Sequence, residues 1–203
     1  MSIILLVRHG ETDWNRSGQI MGDQPIPLNP HGAVQAHQLA ACLKGCGIQT
    51  IYSSPVARAV QTAEILASVL GARVTLLPGL SEIGVGEWAG RFWKDLADEP
   101  IKNDYYAKPR EARPPGGETL AEVQDRAVAA VEEVCRNGTG GPFLFVSHAD
   151  VIRSVLAHYL YLDFVGLRRA RIDHASLTAL RLAEGAAELL CLNYTPAAAG
   201  LGL

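Results

Sequence analysis

Ile3-Ile4-Leu5-Leu6-Val7-Arg8-His9-Gly10 is the stretch that decides the fold. Its five leading apolar residues are too few to cross a membrane, but they suit a strand covered by protein on both faces, the kind found in parallel sheets. Strands of that kind offer their C-terminal ends to a ligand crevice. Here the run ends in a cation and an imidazole, and Glu11, Thr12, Asp13, Trp14 and Asn15 follow at once. Charged residues also mark ordinary strand ends that meet water, so the loop gains chemical meaning only if matching groups recur after other strands.

Working outward, the chain alternates strand and helix. Asn29-Pro30 supplies an N-cap and a proline at the first helical position, and Ala33, Ala36, Ala40 and Leu43 recur at helical spacing until Gly45-Cys46-Gly47. Residues 48–52 read as a second strand. Ser54-Pro55 then opens a helix through Ala59, Ala63, Leu66 and Leu70 to a glycine stop at Gly71, and residues 74–77 form a third strand. Residues 78–115 carry no long periodic run and are rich in Gly, Pro and charge, which suggests an inserted cap. Thr119 and Glu122 form a capping box for a helix striped by Leu120, Val123, Ala127, Val131 and Val134 that ends before Gly138. Phe143-Leu144-Phe145-Val146 is a fourth strand. It delivers Ser147-His148-Ala149-Asp150 and a helix to about residue 160, and residues 177–182 pair with 188–192 across Glu184-Gly185. The expectation is an α/β fold: a three-layer α/β/α sandwich with a mostly parallel central sheet, one domain over residues 1–203, and a small cap at about 86–118.

Composition narrows the partners. A chain of 203 residues with 48% hydrophobic content can bury a full core, and its net charge of −3 provides no basic field for an extended nucleic acid. No membrane partner is expected. Cys42, Cys46, Cys135 and Cys191 contain no C-x-x-C pair, and with no signal peptide they read as reduced thiols of a cytoplasmic protein. Cys42 and Cys46 share a predicted helix face and are expected to be buried as small apolar side chains rather than to bind metal.

Three polar clusters follow strands: Arg8-His9, then Ser53-Ser54 with Arg58, then Ser147-His148. In an open, mainly parallel sheet they converge on one edge. Guanidinium forks match phosphoryl oxygens and helix N-termini add partial positive charge, so two arginines and two histidines there make an anion pocket containing a nucleophile. Arg58 lies in the first turn of its helix, against the dipole, which a nearby anion or a paired carboxylate would offset.

At this point the residues resemble a known family. Leu6-Val7-Arg8-His9-Gly10-Glu11-Thr12-Asp13-Trp14-Asn15 resembles the signature of the histidine phosphatase superfamily, the phosphoglycerate-mutase-like family. The stretch Ser53-Ser54-Pro55-Val56-Ala57-Arg58-Ala59-Val60-Gln61-Thr62-Ala63 is similar to its second motif. Leu80-Ser81-Glu82-Ile83 with Gly86 and Trp88 is similar to the third, and Ser147-His148 to the fourth. The resemblance covers nearly the whole chain and implies the same three-layer fold. It also implies that His9 is the nucleophile, attacking phosphorus in line to give a phosphohistidine. Arg8, Arg58 and His148 would hold the equatorial oxygens, Asn15 would add a neutral donor, and Ala149, standing where the family often has glycine, would bring its backbone to the phosphate. Glu82 is the family-matched proton donor, with Glu87 a rival; its pKa would have to rise toward neutrality. A carbonyl bound to the other nitrogen of His9 would fix the tautomer. No metal and no cofactor is implied.

The remaining readings concern substrate and assembly. Pro114-Pro115-Gly116-Gly117-Glu118-Thr119 is similar to a segment of the small phosphatases, including broad-specificity acid-type and α-ribazole phosphatases. Hydrolysis of a small phosphomonoester is therefore expected over a phosphoglycerate mutase reaction, and over a non-catalytic phosphoester-binding regulator, which would lack one of Arg8, His9, Arg58, Glu82 or His148. Trp88, Phe92, Trp93, Tyr105 and Tyr106 of the cap would contact a leaving group or pack the cap onto the body, the second being expected. Arg91, Lys94, Lys102, Lys108, Arg110 and Arg113 read as a solvated face, since five acidic residues between Asp95 and Glu111 nearly cancel them. His31, His37 and His158 read as ordinary helix residues, and His174 receives no role. Glycines of Gly84-Val85-Gly86-Glu87-Trp88-Ala89 fit a loose dinucleotide pattern that joins no strand to a helix and is rejected. Oligomeric state stays open, a homodimer included.

Overall fold

In the computed structural model, which describes residues 2–96, 100–105, 107–138, 141–183 and 186–196, the opening apolar run lies inside a mixed sheet. In chain order the elements are β1 (Ser2–Arg8), α1 (Asp13–Ser17), α2 (Pro30–Cys42), β2 (Thr50–Ser53), α3 (Ala57–Leu70), β3 (Arg73–Leu76), α4 (Pro100–Asp104), α5 (Leu120–Asn137), β4 (Pro142–Ser147), α6 (Ala149–Leu160), α7 (Phe164–Arg168), β5 (Leu177–Ala183) and β6 (Ala186–Tyr194). Among the described residues the sheet order is β3-β2-β4-β1-β5-β6. The pairs β1 with β4, β4 with β2 and β2 with β3 are parallel, while β1 with β5 and β5 with β6 are antiparallel. The predicted hairpin is present as β5 and β6; its turn, Glu184-Gly185, lies outside the described residues.

Alternation along the central strands builds two cores. Leu5 and Val7 of β1 with Leu144 and Val146 of β4 face Leu39 and Ala40 of α2 and Ala59, Ala63 and Leu66 of α3. Ile4 and Leu6 with Phe143 and Phe145 face Val123, Ala127 and Val131 of α5 and Val151, Ile152 and Val155 of α6. Because successive side chains point to opposite faces, one continuous apolar run serves both layers. The helices start where the sequence provides donors and acceptors for their ends: Asn29 accepts from Gly32 N at 2.8 Å, and Thr119 exchanges hydrogen bonds with Glu122. Among the described residues, no helix is long and apolar enough to cross a membrane.

Two local expectations are corrected. The second helix begins at Ala57 rather than at Ser54-Pro55, because Ser54 is spent on the site: its Oγ accepts from Val56 N at 3.2 Å and lies 2.8 Å from His148 Nε2. Cys42 and Cys46 do not share a buried helix face; α2 ends at Cys42, Gly45 and Gly47 turn left-handed, and both thiols are exposed. In the cap, Trp88 and Tyr105 are buried in the same core as α5 and α6, whereas Trp93 is largely exposed. Tyr106 lies outside the described residues. Several of the cap's basic groups are engaged locally, Lys108 with Asp104, Arg113 with Glu122, and Lys102 with the Trp93 carbonyl.

Close approach of two loops fixes the exit of β1. A Cβ on Gly10 would sit 2.4 Å from Gly32 O, and one on Gly32 would sit 2.2 Å from Glu11 O, so the loop after β1 rests directly on the first turn of α2. Gly32→Ala is expected to cost about 1–3 kcal/mol by overpacking and to lower activity by moving the His9 loop, measured as a reduced thermal midpoint together with reduced turnover.

Candidate active site

Register alone brings the strand exits together. Arg8 pairs with Ser147 across β1 and β4, and Ser53 pairs with Val146 across β2 and β4. The backbone continues the match, His9 N donating to Ser147 O at 3.0 Å and Ser54 N to Val146 O at 2.9 Å. From the other side Ala175 N donates to His9 O at 3.1 Å. The result is an enclosed polar cluster: His9 is 1% exposed, and Arg58 and His148 are fully buried.

His9 has one chemical orientation. Its Nδ1 lies 2.7 Å from Gly10 O, a group that only accepts, so Nδ1 carries the proton. Its Nε2 then presents a lone pair and accepts from Arg58 Nε at 3.2 Å. Gly10 N in turn donates to Thr62 Oγ1 of α3 at 3.0 Å, which anchors the loop behind the ring. Burial, followed by the charge of Arg58, holds the His9 imidazole well below the usual histidine range, and the same two causes hold His148 there. The rings lie 5.2 Å apart.

The cations are ordered by the backbone. Arg58 donates Nη2 to Gly22 O at 2.6 Å and Nη1 to Gln24 O at 3.0 Å. Arg8 donates Nη1 to Ile172 O at 2.7 Å, and burial brings its guanidinium down to about 10. Arg8 Nε and His148 Nδ1 are buried polar atoms with no hydrogen-bond partner among the described residues. Glu82 places its Oε2 3.6 Å from His148 Nδ1 and 3.8 Å from Arg58 Nη2. Burial pushes this carboxyl up to about 7, against the opposing pull of Arg58. Glu87 is exposed in a short helical turn and is not placed with these groups.

The remaining sequence candidates sit at the margin. Asn15 closes the capping box of α1, its Oδ1 accepting from Thr12 N and Thr12 Oγ1, both at 3.0 Å. Ala149 is the first residue of α6, with His148 as its N-cap. His31 and His37 lie in α2 and His158 in α6, as expected of ordinary helix residues. His174 was not singled out, yet its ring lies 6.0 Å from that of His9, and burial followed by Arg8 lowers its pKa to about 3. It precedes β5, whose N-terminal end reaches this sheet edge because β5 runs antiparallel.

Two buried imidazoles, His9 and His148, and two guanidinium groups, Arg8 and Arg58, are thus enclosed at the strand ends of an α/β sheet. Comparison with known proteins names the family: residues 4–195 match the model of the histidine phosphatase superfamily (branch 1), and the chain belongs to that superfamily and is an enzyme of the phosphatase kind. A probable phosphoglycerate mutase GpmB of Yersinia enterocolitica is 34% identical over 177 residues, 86% of this chain and 82% of that protein. The phosphoserine phosphatase of Entamoeba histolytica, solved with phosphoserine, superposes with a TM-score of 0.87 at 26% identity, covering 95% of this chain and 97% of its own. The mycobacterial glucosyl-3-phosphoglycerate phosphatase superposes with a TM-score of 0.86 at 25% identity, covering 96% and 100%.

The raised pKa of Glu82 has a consequence for stability. The unfolded carboxyl ionises at its ordinary 4.5 while the folded one keeps its proton to about 7, so folding weakens as pH rises between those values and stays weakened above them. Glu82→Gln removes this cost. Its thermal midpoint is expected to exceed that of the wild type at about pH 8 and to match it at about pH 4; an equal midpoint at both would contradict the burial of the charge.

Proposed function

We propose that this chain is a metal-independent phosphomonoester hydrolase that acts on small phosphorylated metabolites in the cytoplasm through a phosphohistidine on His9. The observation that supports it most is the His9 lone pair at Nε2, fixed by the Gly10 carbonyl and surrounded by cationic or unpaired donors. In the first step Nε2 attacks phosphorus, the bond from phosphorus to the ester oxygen breaks, and protonated Glu82 gives its proton to the departing alkoxide. Arg8, Arg58 and His148 hold the equatorial oxygens, on which charge accumulates, with Asn15 and the Ala149 backbone at the rim. With the Ser54 hydroxyl donating to Nε2 of His148, the proton on Nδ1 of that ring faces the phosphoryl group. In the second step water attacks phosphorus, Glu82 takes the water's proton, and the bond from Nε2 to phosphorus breaks to release inorganic phosphate and His9.

Similarity to proteins solved with phosphoserine and with 3-phosphoglyceric acid supports small phosphorylated substrates. A second reading, phosphoglycerate mutase, has one specific observation in its favour, the 34% identity to a probable phosphoglycerate mutase. It differs only in the second acceptor, a substrate hydroxyl instead of water. Supplying 3-phosphoglycerate with a bisphosphate primer separates them, since hydrolysis releases phosphate and transfer yields 2-phosphoglycerate.

His9→Ala is expected to abolish turnover and the acid-labile, alkali-stable phosphoenzyme trapped by alkaline quench, with activity of the unaltered protein insensitive to chelator. Chelator-sensitive turnover, or a phosphoenzyme that persists in His9→Ala, would sink the mechanism. Glu82 must be protonated and His9 neutral, so kcat/KM for alkyl phosphates is expected to fall as pH rises through about 7. Glu82→Gln should remove that limb and slow alkyl esters by about 10²- to 10⁴-fold.

A further inference from the structure

The turn that carries Glu82 is gripped from the neighbouring helix. Arg126 of α5 commits all five of its N–H groups. Nε donates to Glu118 Oε1 at 2.9 Å, and Nη2 donates to Glu118 Oε2 at 2.9 Å and to Glu82 O at 3.1 Å. Nη1 donates to Gly79 O at 2.8 Å and to Ser81 O at 2.7 Å. Glu118 Oε2 also accepts from Gly84 N at 2.8 Å, so the pair holds both ends of the segment 79–84. Between Gly79 and Glu82 the carbonyl that Arg126 does not reach, Leu80 O, accepts from Ser147 Oγ at 2.8 Å, and Ser147 directly precedes His148. Four consecutive carbonyls, 79 to 82, are thus tied to α5 and to the exit of β4.

Backbone fit reinforces the grip. A Cβ on Gly79 would lie 2.7 Å from Ala130 Cβ and 2.8 Å from Arg126 O, so the turn lies flat on the helix. By contrast, the Glu82 carboxyl is lightly held by its own contacts. Oε1 accepts from Ile83 N at 3.0 Å, while Oε2 stands 3.6 Å from His148 and 3.8 Å from Arg58, beyond good hydrogen-bond length. Its position therefore comes from the backbone beneath it. A planar fork with five donors suits this task, since it spans a carboxylate and three carbonyls at once, which an ammonium cannot do.

We infer that Arg126, with Glu118, is a positioning residue for the proton-transfer step: the pair holds the turn 79–84 so that the Glu82 carboxyl faces His148 and Arg58 on the side from which the ester oxygen departs. This rests on Glu82 acting as the acid. A purely structural ion pair would affect every substrate alike, whereas a device that aims the acid affects only leaving groups that need a proton. A displacement of about 1 Å is enough to cost on the order of a hundredfold in a proton-transfer geometry.

The test compares kcat/KM for β-glycerophosphate, whose alkoxide needs a proton, with that for p-nitrophenyl phosphate, whose phenolate leaves without one. Arg126→Gln is expected to slow the alkyl ester by about ten- to a hundredfold and to leave the aryl ester within about threefold, with Arg126→Lys recovering only part of the loss. On a Glu82→Gln background Arg126→Gln should add no more than about twofold, because the group it aims is gone. Equal losses on both esters, or losses that multiply in the double variant, would overturn the inference and leave Arg126 a structural residue. Should Glu82→Gln by itself treat the two esters alike, the acid assignment falls and the positioning role with it. If Arg126→Gln does not yield folded protein, Glu118→Gln, which replaces one of the two acceptor oxygens of the fork by a donor, gives the same comparison.

Discussion

Keeping His9 uncharged among cations is the constraint on which the rest of the structure depends. A protonated imidazole has no lone pair, and in this enclosure it would face Arg58 at hydrogen-bond distance. Exclusion of water meets the requirement, because burial penalises the charged ring and lets the neighbouring guanidinium act at short range. Exclusion then dictates the architecture. It requires strand ends buried on both faces, a loop pressed onto α2 at Gly32, and a carbonyl from Gly10 to take the one proton the ring keeps. The same dryness raises Glu82, so one physical cause moves an imidazole and a carboxyl in opposite directions.

Much of this was legible in the sequence because it follows chain-local rules. Apolar runs of four or five residues mark β1 and β4, Asn29-Pro30 and Thr119 with Glu122 mark helix starts, and polar groups after strands mark the crevice. The unseen parts depend on contacts that no local rule encodes. His174 carries no such mark because it lies ahead of a strand, and antiparallel β5 brings that start to the same sheet edge. Arg126 escaped because, on a helix with acidic neighbours, it looks like any solvated arginine; only the fold sets the turn 79–84 under it. The Gly22 and Gln24 carbonyls that hold Arg58 belong to a stretch without periodicity, and carbonyls carry no sequence signature. Cys46 lies outside α2 because the helix ends at Cys42, one turn before the Gly45-Cys46-Gly47 stop that the sequence displays.

The cap is less separate than its composition suggests. Trp88, Leu96 and Tyr105 are buried in the core that α5 and α6 share with the sheet. Its Gly86 packs so tightly on the segment before α5 that a Cβ there would lie 2.0 Å from Pro115 O. Packing of this density transmits strain, so the cap and the segment before α5 move as one body.

Arg58 gives the enclosed site a further character. Two of its N–H groups already rest on the Gly22 and Gln24 carbonyls at 2.6 and 3.0 Å. On the proposed mechanism, a phosphoryl group takes up the N–H left on each Nη and exchanges partners with these carbonyls for the others, so its strength is set in part by the difference between two sets of hydrogen bonds. An anion gains from that exchange in proportion to the charge on its oxygens. The metaphosphate-like species at the midpoint of transfer gains through geometry as well, while spent inorganic phosphate meets carbonyls ready to reclaim the fork. On that mechanism the loop carrying Gly22 and Gln24 competes with the product for Arg58 and favours its departure.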